Sequence, residues 1–150
     1  MNRTLLFSLM LSLTGYAHSS PLVFVGDSLA DGYKRSSHGN GITKVGASPK
    51  AVAGMIDRSN LKQQTVVLST GISNNCQDIK QAQYNILRVS NEASTFLLIG
   101  TMNCPAKVQD QIIKLCSSLE NCYFHELDKS KSRDGIHPSI YLPMRPVSYL

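Results

Sequence analysis

Two short blocks at opposite ends of the chain hold the residue types needed to activate a hydroxyl group. Gly26-Asp27-Ser28-Leu29-Ala30 lies towards the N-terminus, and Asp134-Gly135-Ile136-His137-Pro138 towards the C-terminus. A serine hydroxyl is a poor nucleophile until a base takes its proton. Histidine suits that task at neutral pH, and a carboxylate fixes the imidazole tautomer and stabilises the charged ring. Within a turn, the spacing lets Asp134 reach one ring nitrogen of His137 while the other faces Ser28. Gly26 permits a tight turn before Ser28. A serine at a strand end, near a helix N-terminus, has backbone N–H groups at hand for a developing oxyanion. The block is not the G-x-S-x-G elbow, because position 30 is Ala. Taken singly, each block has a plainer reading: Ser28 as a helix cap in an ordinary turn, and His137 as an incidental surface residue.

The other titratable residues read more simply. His125 falls in an apolar run and is expected to be structural. His38 sits in a Ser/Gly/Asn-rich loop, and His18 near the start of the chain. Lys129, Lys131 and Arg133 precede the second block as a solvated loop that would also attract an anionic substrate. Lys34-Arg35 is open to the same two readings. Cys76, Cys104, Cys116 and Cys122 contain no C-x-x-C, so a zinc site is not expected, and no metal or cofactor is called for.

The elements that must position these residues are short and alternate in kind. Residues 21–25, 42–45, 65–69, 95–99 and 122–127 form five apolar, largely β-branched or aromatic runs without polar alternation. Such runs mark strands buried on both faces, the habit of a parallel sheet. Helical spacing appears between them. Val52, Met55 and Ile56 share a face in 49–56, with Ser48 as cap and Pro49 in the first turn. Ile79, Ala82, Ile86 and Val89 do so in 78–89, and Val108, Ile112, Leu115 and Leu119 in 106–119. Strands alternating with helices predict one α/β layered domain. Four runs end in Gly or small polar residues: Gly26-Asp27-Ser28, Gly46-Ala47-Ser48, Thr70-Gly71 and Gly100-Thr101. Ligands of open α/β sheets sit beyond the carboxyl ends of the strands, so the chemistry is expected in these loops.

The start of the chain reads as a leader. Met1-Asn2-Arg3 is basic, residues 4–13 are mainly apolar, and Gly15-Tyr16-Ala17 supplies small residues for cleavage after Ala17 or Ser19. A single domain over 20–150 is then expected in an oxidising compartment, secreted or periplasmic, where an even number of cysteines suggests two disulfides from three possible pairings. The apolar stretch is short for a bilayer span, so no stable membrane anchor is expected. The net charge of +5 favours acidic polymers or head groups as partners. No basic-and-aromatic cluster marks a nucleic-acid module, and no nucleic-acid partner is expected.

Taken together, Gly26-Asp27-Ser28-Leu29 near the mature N-terminus and Asp134-x-x-His137 near the C-terminus resemble the SGNH, or GDSL-type, hydrolase family. The resemblance spans nearly the whole mature chain, with the blocks in the family's order. It implies a flavodoxin-like α/β/α sandwich with a five-stranded parallel sheet in the order 2-1-3-4-5, and ester hydrolysis through an acyl-enzyme on Ser28. It also implies an oxyanion hole completed by a glycine and an asparagine. Gly46, after the second strand, looks like that glycine, with its backbone N–H as donor. The asparagine normally lies in G-x-N-D, and here the sequence departs from the pattern: it reads Gly71-Ile72-Ser73-Asn74-Asn75. Gly100-Thr101-Met102-Asn103 repeats the glycine-to-asparagine spacing after the fourth strand. In the implied order, strand three lies beside strand one and strand four about 5 Å further off, which favours Asn74 over Asn103, with Asn75 as fallback.

The same order makes strands three and four neighbours. A Cys76–Cys104 bridge would then clamp the loops beside the site, and Cys116–Cys122 would close the turn into strand five. The family usually ends in a helix packed on the sheet. Pro143 and Pro146 argue against one here, leaving an irregular cover or a shortened end. The expected activity is hydrolysis of short acyl esters, such as O-acetyl groups on envelope glycans, since no lid or long acyl-binding insertion is visible. A thioesterase or lysophospholipase would use the same three residues. A non-catalytic binding module on the same fold, or a disulfide-stapled structural protein, would use neither block for chemistry.

Overall fold

The computed structural model describes residues 21–72, 76–101, 103–127 and 132–144. Residues 1–20, read above as a leader, and residues 73–75, Asn74 and Asn75 among them, lie outside the described residues, as do Lys129 and Lys131. The elements alternate from end to end: β1 (Leu22–Gly26), α1 (Ser28–Ser36), β2 (Asn40–Thr43), α2 (Pro49–Asp57), β3 (Thr65–Leu68), α3 (Ile79–Glu92), β4 (Thr95–Ile99), α4 (Ala106–Ser117) and β5 (Cys122–His125). All strand pairs are parallel, in the order β2-β1-β3-β4-β5. This is the flavodoxin-like arrangement and strand order that the family resemblance implied, built on the α/β alternation read from the sequence.

Side chains alternate across the sheet, so each apolar strand feeds two cores. Val25, Val66, Leu68, Phe96 and Leu98 point to one face, where α2, α3 and α4 lay Val52, Ile56, Ile86, Val89 and Ile112 upon them. Phe24, Val67 and Ile99 point to the other, where α1 contributes Leu29, Ala30 and Tyr33. Full burial of one such side chain contributes about 1.5–3 kcal/mol, which is why runs lacking polar alternation settle into central strands. No regular helix follows β5 among the described residues. Tyr141 and Met144 of an irregular segment that holds Pro143 pack against the α1 side instead, while Pro146 lies outside the described residues.

One strand lies elsewhere than expected. β2 covers Asn40–Thr43 rather than 42–45, because register with β1 pairs Val23 with Asn40 and Gly26 with Thr43. The Lys44 N–H donates to the Gly26 carbonyl, and the Ala47 N–H then closes a turn on the Lys44 carbonyl. That turn leaves Val45 63% exposed, so an apolar residue that read as strand belongs to a loop. α3 runs on to Glu92, beyond the expected end at Val89, and the buried stripe continues from Val89 to Ala93, its C-cap. Ser48 caps α2 as expected, accepting from the Ala51 N–H at 3.2 Å.

Candidate active site

The loop after β1 is fitted tightly against the end of β3. Gly26 has φ +140°, and a Cβ there would collide with the Ser69 carbonyl and hydroxyl oxygens. The next residue, Asp27, is the helix cap: its Oδ1 accepts the Leu29 N–H at 3.0 Å. Capping thus falls to Asp27, and Ser28, the first residue of α1, keeps its hydroxyl for other work. The Asp27 carboxylate is nearly buried and well supplied with donors. Oδ1 also accepts the Ser69 hydroxyl at 2.7 Å, and Oδ2 accepts the Gly71 N–H at 3.1 Å. Ser69 Oγ in turn accepts the Asp27 N–H at 2.8 Å and the Ala30 N–H at 3.3 Å. This brace joins the carboxyl ends of β1 and β3 to the first turn of α1. The first-turn amides of an α-helix have no partner within the helix. Those of Leu29 and Ala30 are taken by Asp27 and Ser69, whereas no partner for the Ser28 N–H is found among the described residues.

The second block folds into a self-contained turn. Asp134 Oδ1 accepts the N–H groups of Ile136 at 2.9 Å and His137 at 2.8 Å. Ser132 Oγ accepts the Gly135 N–H at 2.9 Å and donates to the His137 carbonyl at 2.7 Å. The spare carboxylate oxygen of Asp134, Oδ2, lies 2.7 Å from His137 Nδ1. The opposite ring nitrogen, Nε2, lies 2.6 Å from Ser28 Oγ, across 109 residues of sequence. The hydrogen bond from the His137 ring holds the Asp134 carboxyl well below the usual carboxylate range, helped by the two backbone donors. An ionised carboxylate only accepts. In a neutral ring this places the proton on Nδ1 and leaves Nε2 to accept from the Ser28 hydroxyl. The three residues singled out for nucleophilic chemistry form one hydrogen-bonded relay.

An open cleft of about 610 Å³ adjoins this relay. Ser28 and His137 line it, together with Gly32, Arg35, Val45 and Tyr141. Asp31 at its edge is tied to Arg35 at 2.8 Å and accepts the Thr43 hydroxyl at 2.7 Å. Gly46 lies in the turn beside Val45, with φ +74° and open space where a side chain would stand. Burial, and the nearby Tyr33, push the Tyr141 hydroxyl well above its ordinary range.

Asn103 lies beside a disulfide, its carbonyl 3.2 Å from Cys76 Sγ. His125 is structural, as expected: its Nε2 lies 3.0 Å from the Tyr33 hydroxyl, the rings meet edge to face, and burial lowers its pKa. His38 lines a separate hollow with Phe24 and Met144. Arg133 lines a second hollow together with Asp134, His137, Pro138 and Ser139. The cysteines pair as expected, Cys76–Cys104 with Cα atoms 5.5 Å apart and Cys116–Cys122 with 5.2 Å. Two disulfides suit an oxidising compartment. Among the described residues, no group of three or more His, Cys, Asp or Glu is placed to hold a metal ion, and no helix is long and apolar enough to cross a membrane.

Sequence reasoning missed Ser69 altogether, since one serine at a strand end carries no mark of its partners. The cap at Asp27 was open to the rule that Asp favours the position before a helix. No protein-family model matches the chain, and no curated protein matches it either.

Proposed function

We propose that this chain is a serine-dependent ester hydrolase of the SGNH kind, acting through an acyl-enzyme. The observation that supports this most is the relay itself, with Ser28 Oγ 2.6 Å from His137 Nε2 and Asp134 Oδ2 2.7 Å from Nδ1. Such distances suit proton transfer from nucleophile to base and from a base held in one tautomer. His137 takes the Ser28 proton as Oγ bonds to the acyl carbon, and the carbonyl electrons move onto oxygen. The Ser28 and Gly46 N–H groups, with the Asn74 side-chain amide, hold that oxyanion. The imidazolium, steadied by Asp134, then protonates the alcohol oxygen as its bond to the acyl carbon breaks. Water repeats the sequence on the acyl-enzyme: His137 removes its proton, hydroxide adds to the carbonyl, and Ser28 leaves carrying the proton back. Each oxyanion donor is worth about 10²–10³-fold in kcat.

The open cleft and the net charge of +5 fit short acyl groups on a hydrophilic or acidic carrier, and O-acetylated envelope glycans, reached after export, are the proposed substrates. Turnover of p-nitrophenyl acetate and of acetylated glycans tests the reading. Ser28→Ala is expected to abolish both while leaving the circular dichroism spectrum unchanged; full activity in that variant refutes the assignment. The departure from G-x-N-D favours a second reading, a binding module on the same fold. Glycan binding by a folded native protein that turns over no ester would establish it.

A further inference from the structure

Among the described residues, 138–144 form no helix, and Pro138 makes a bridge with Ser132. The segment nevertheless crosses α1 at two fixed points. The Tyr141 ring fills the space beside Gly32, where a Cβ would collide with the ring atoms. The same ring meets Tyr33 edge-on, with centroids 4.9 Å apart and planes at 85°. Further along, the Met144 N–H donates to Ser37 Oγ at 2.8 Å, on the residue that caps the C-terminal end of α1. Ile140 and Leu142, on either side of Tyr141, are 70% and 71% exposed. Of these three neighbours, Tyr141 alone reaches into the protein.

Glycine inside a helix weakens it relative to alanine. At position 32 the missing side chain is what admits the ring. Among the described residues, the hydrogen bonds of Asp134 Oδ1 and Ser132 Oγ stay within 132–137. They set the shape of the turn but not its distance from α1. Tyr141 follows His137 by four residues, and its seat against Gly32 ties the turn to α1 beside the cleft that both rings line. We propose that Tyr141 is a positioning residue: its ring, seated against Gly32, holds the His137 turn over Ser28.

The inference rests on the hydrolase reading, and because Tyr141 also lines the cleft, its test must separate positioning from substrate contact. A small alkyl fluorophosphonate needs the Ser28–His137 relay but little of the cleft. Its rate of reaction with Ser28 is measured in the full native chain and in Tyr141→Phe, Tyr141→Ala, Gly32→Ala and the double variant, beside kcat and KM for p-nitrophenyl acetate. Misplacement by about 1 Å costs about 10²-fold. Tyr141→Ala and Gly32→Ala are expected to lose phosphonylation rate and kcat in parallel on that scale, with KM little changed. Tyr141→Phe keeps the ring and is expected to react within twofold of native, by about the variation expected of a substitution that keeps the packing. In the Tyr141→Ala background, adding Gly32→Ala is expected to have no further effect, as coupled sites require. Should Tyr141→Ala fail to fold, Gly32→Ala and Tyr141→Phe carry the test. Native-like phosphonylation in Tyr141→Ala, or in a folded Gly32→Ala, overturns the inference alone. A native protein that is not labelled at Ser28 overturns the hydrolase reading, and the inference with it.

Discussion

Replacing Ser69 with alanine tests whether the brace behind Ser28 holds the site together. Three hydrogen bonds disappear with one oxygen: the one to Asp27 Oδ1 at 2.7 Å, and those from the Asp27 and Ala30 N–H groups at 2.8 and 3.3 Å. The site is buried, with Ser69 1% and Asp27 3% exposed, so water does not readily replace the lost partner. A hydrogen bond to a charged group contributes about 1.5–3 kcal/mol, and a buried donor left unpaired costs about 1–3 kcal/mol. The Ala30 contact is long and adds little. The substitution should therefore destabilise the fold by about 3–5 kcal/mol, a large part of a typical 5–15 kcal/mol. For a chain of 150 residues, at about 2–4 °C per kcal/mol, the melting temperature should fall by about 6–20 °C. Thermal unfolding followed by circular dichroism, with disulfides intact, measures it. Ser94→Ala is the control: its hydroxyl bonds to the Gln64 carbonyl at an exposed position, where loss stays within about 0.5 kcal/mol. A Ser69→Ala shift no larger than the control's would refute the argument that this network braces the loop.

Other predictions concern the relay and the cross-links. Asp134→Asn keeps an oxygen for the Ile136 and His137 N–H groups but turns an amide N–H towards Nδ1, forcing the ring proton onto Nε2; kcat for p-nitrophenyl acetate should fall by about 10⁴-fold with the fold retained, and a loss under tenfold would contradict the assigned tautomer. The folded-state pKa of Asp134 is depressed, so its stabilisation is present above its ordinary value of 3.8 and is lost as pH falls through the folded value. The gap in melting temperature between native and Asp134→Asn should accordingly narrow as pH drops below 3.8; a widening gap would contradict it. Asn74→Ala should slow ester turnover by about 10²-fold and Asn103→Ala far less; the reverse order would move the oxyanion donor to the loop after β4. Loss of Cys76–Cys104, with a separation of 28, should destabilise by about 3.5 kcal/mol, and loss of Cys116–Cys122, with a separation of 6, by about 2.3 kcal/mol; denaturant unfolding of the paired Cys→Ser variants gives the order.

Much of this architecture is readable from residue types because parallel strands buried on both faces need unbroken apolar runs. β1, β3 and β4 all show them, and the helices between show the period that lays one stripe on the sheet. β2 misleads because an edge strand is defined by its partner: Asn40 and Gly41 pair with β1, whereas Val45 is turned out to solvent beside the cleft. Ser28, Asp134 and His137 are legible by chemistry, since only certain residue types in a certain order make such a relay. Ser69 and Tyr141 are not. Each works through a contact between segments distant in sequence, and neither residue type is unusual where it stands.

The central claim is that the Ser28 hydroxyl is an activated nucleophile. Incubating the native chain with a fluorophosphonate, followed by intact mass and peptide mapping, tests it directly. One adduct per chain, on Ser28 and absent from His137→Ala, is the predicted result. A folded native protein that remains unmodified, or carries the adduct on another residue, would contradict it.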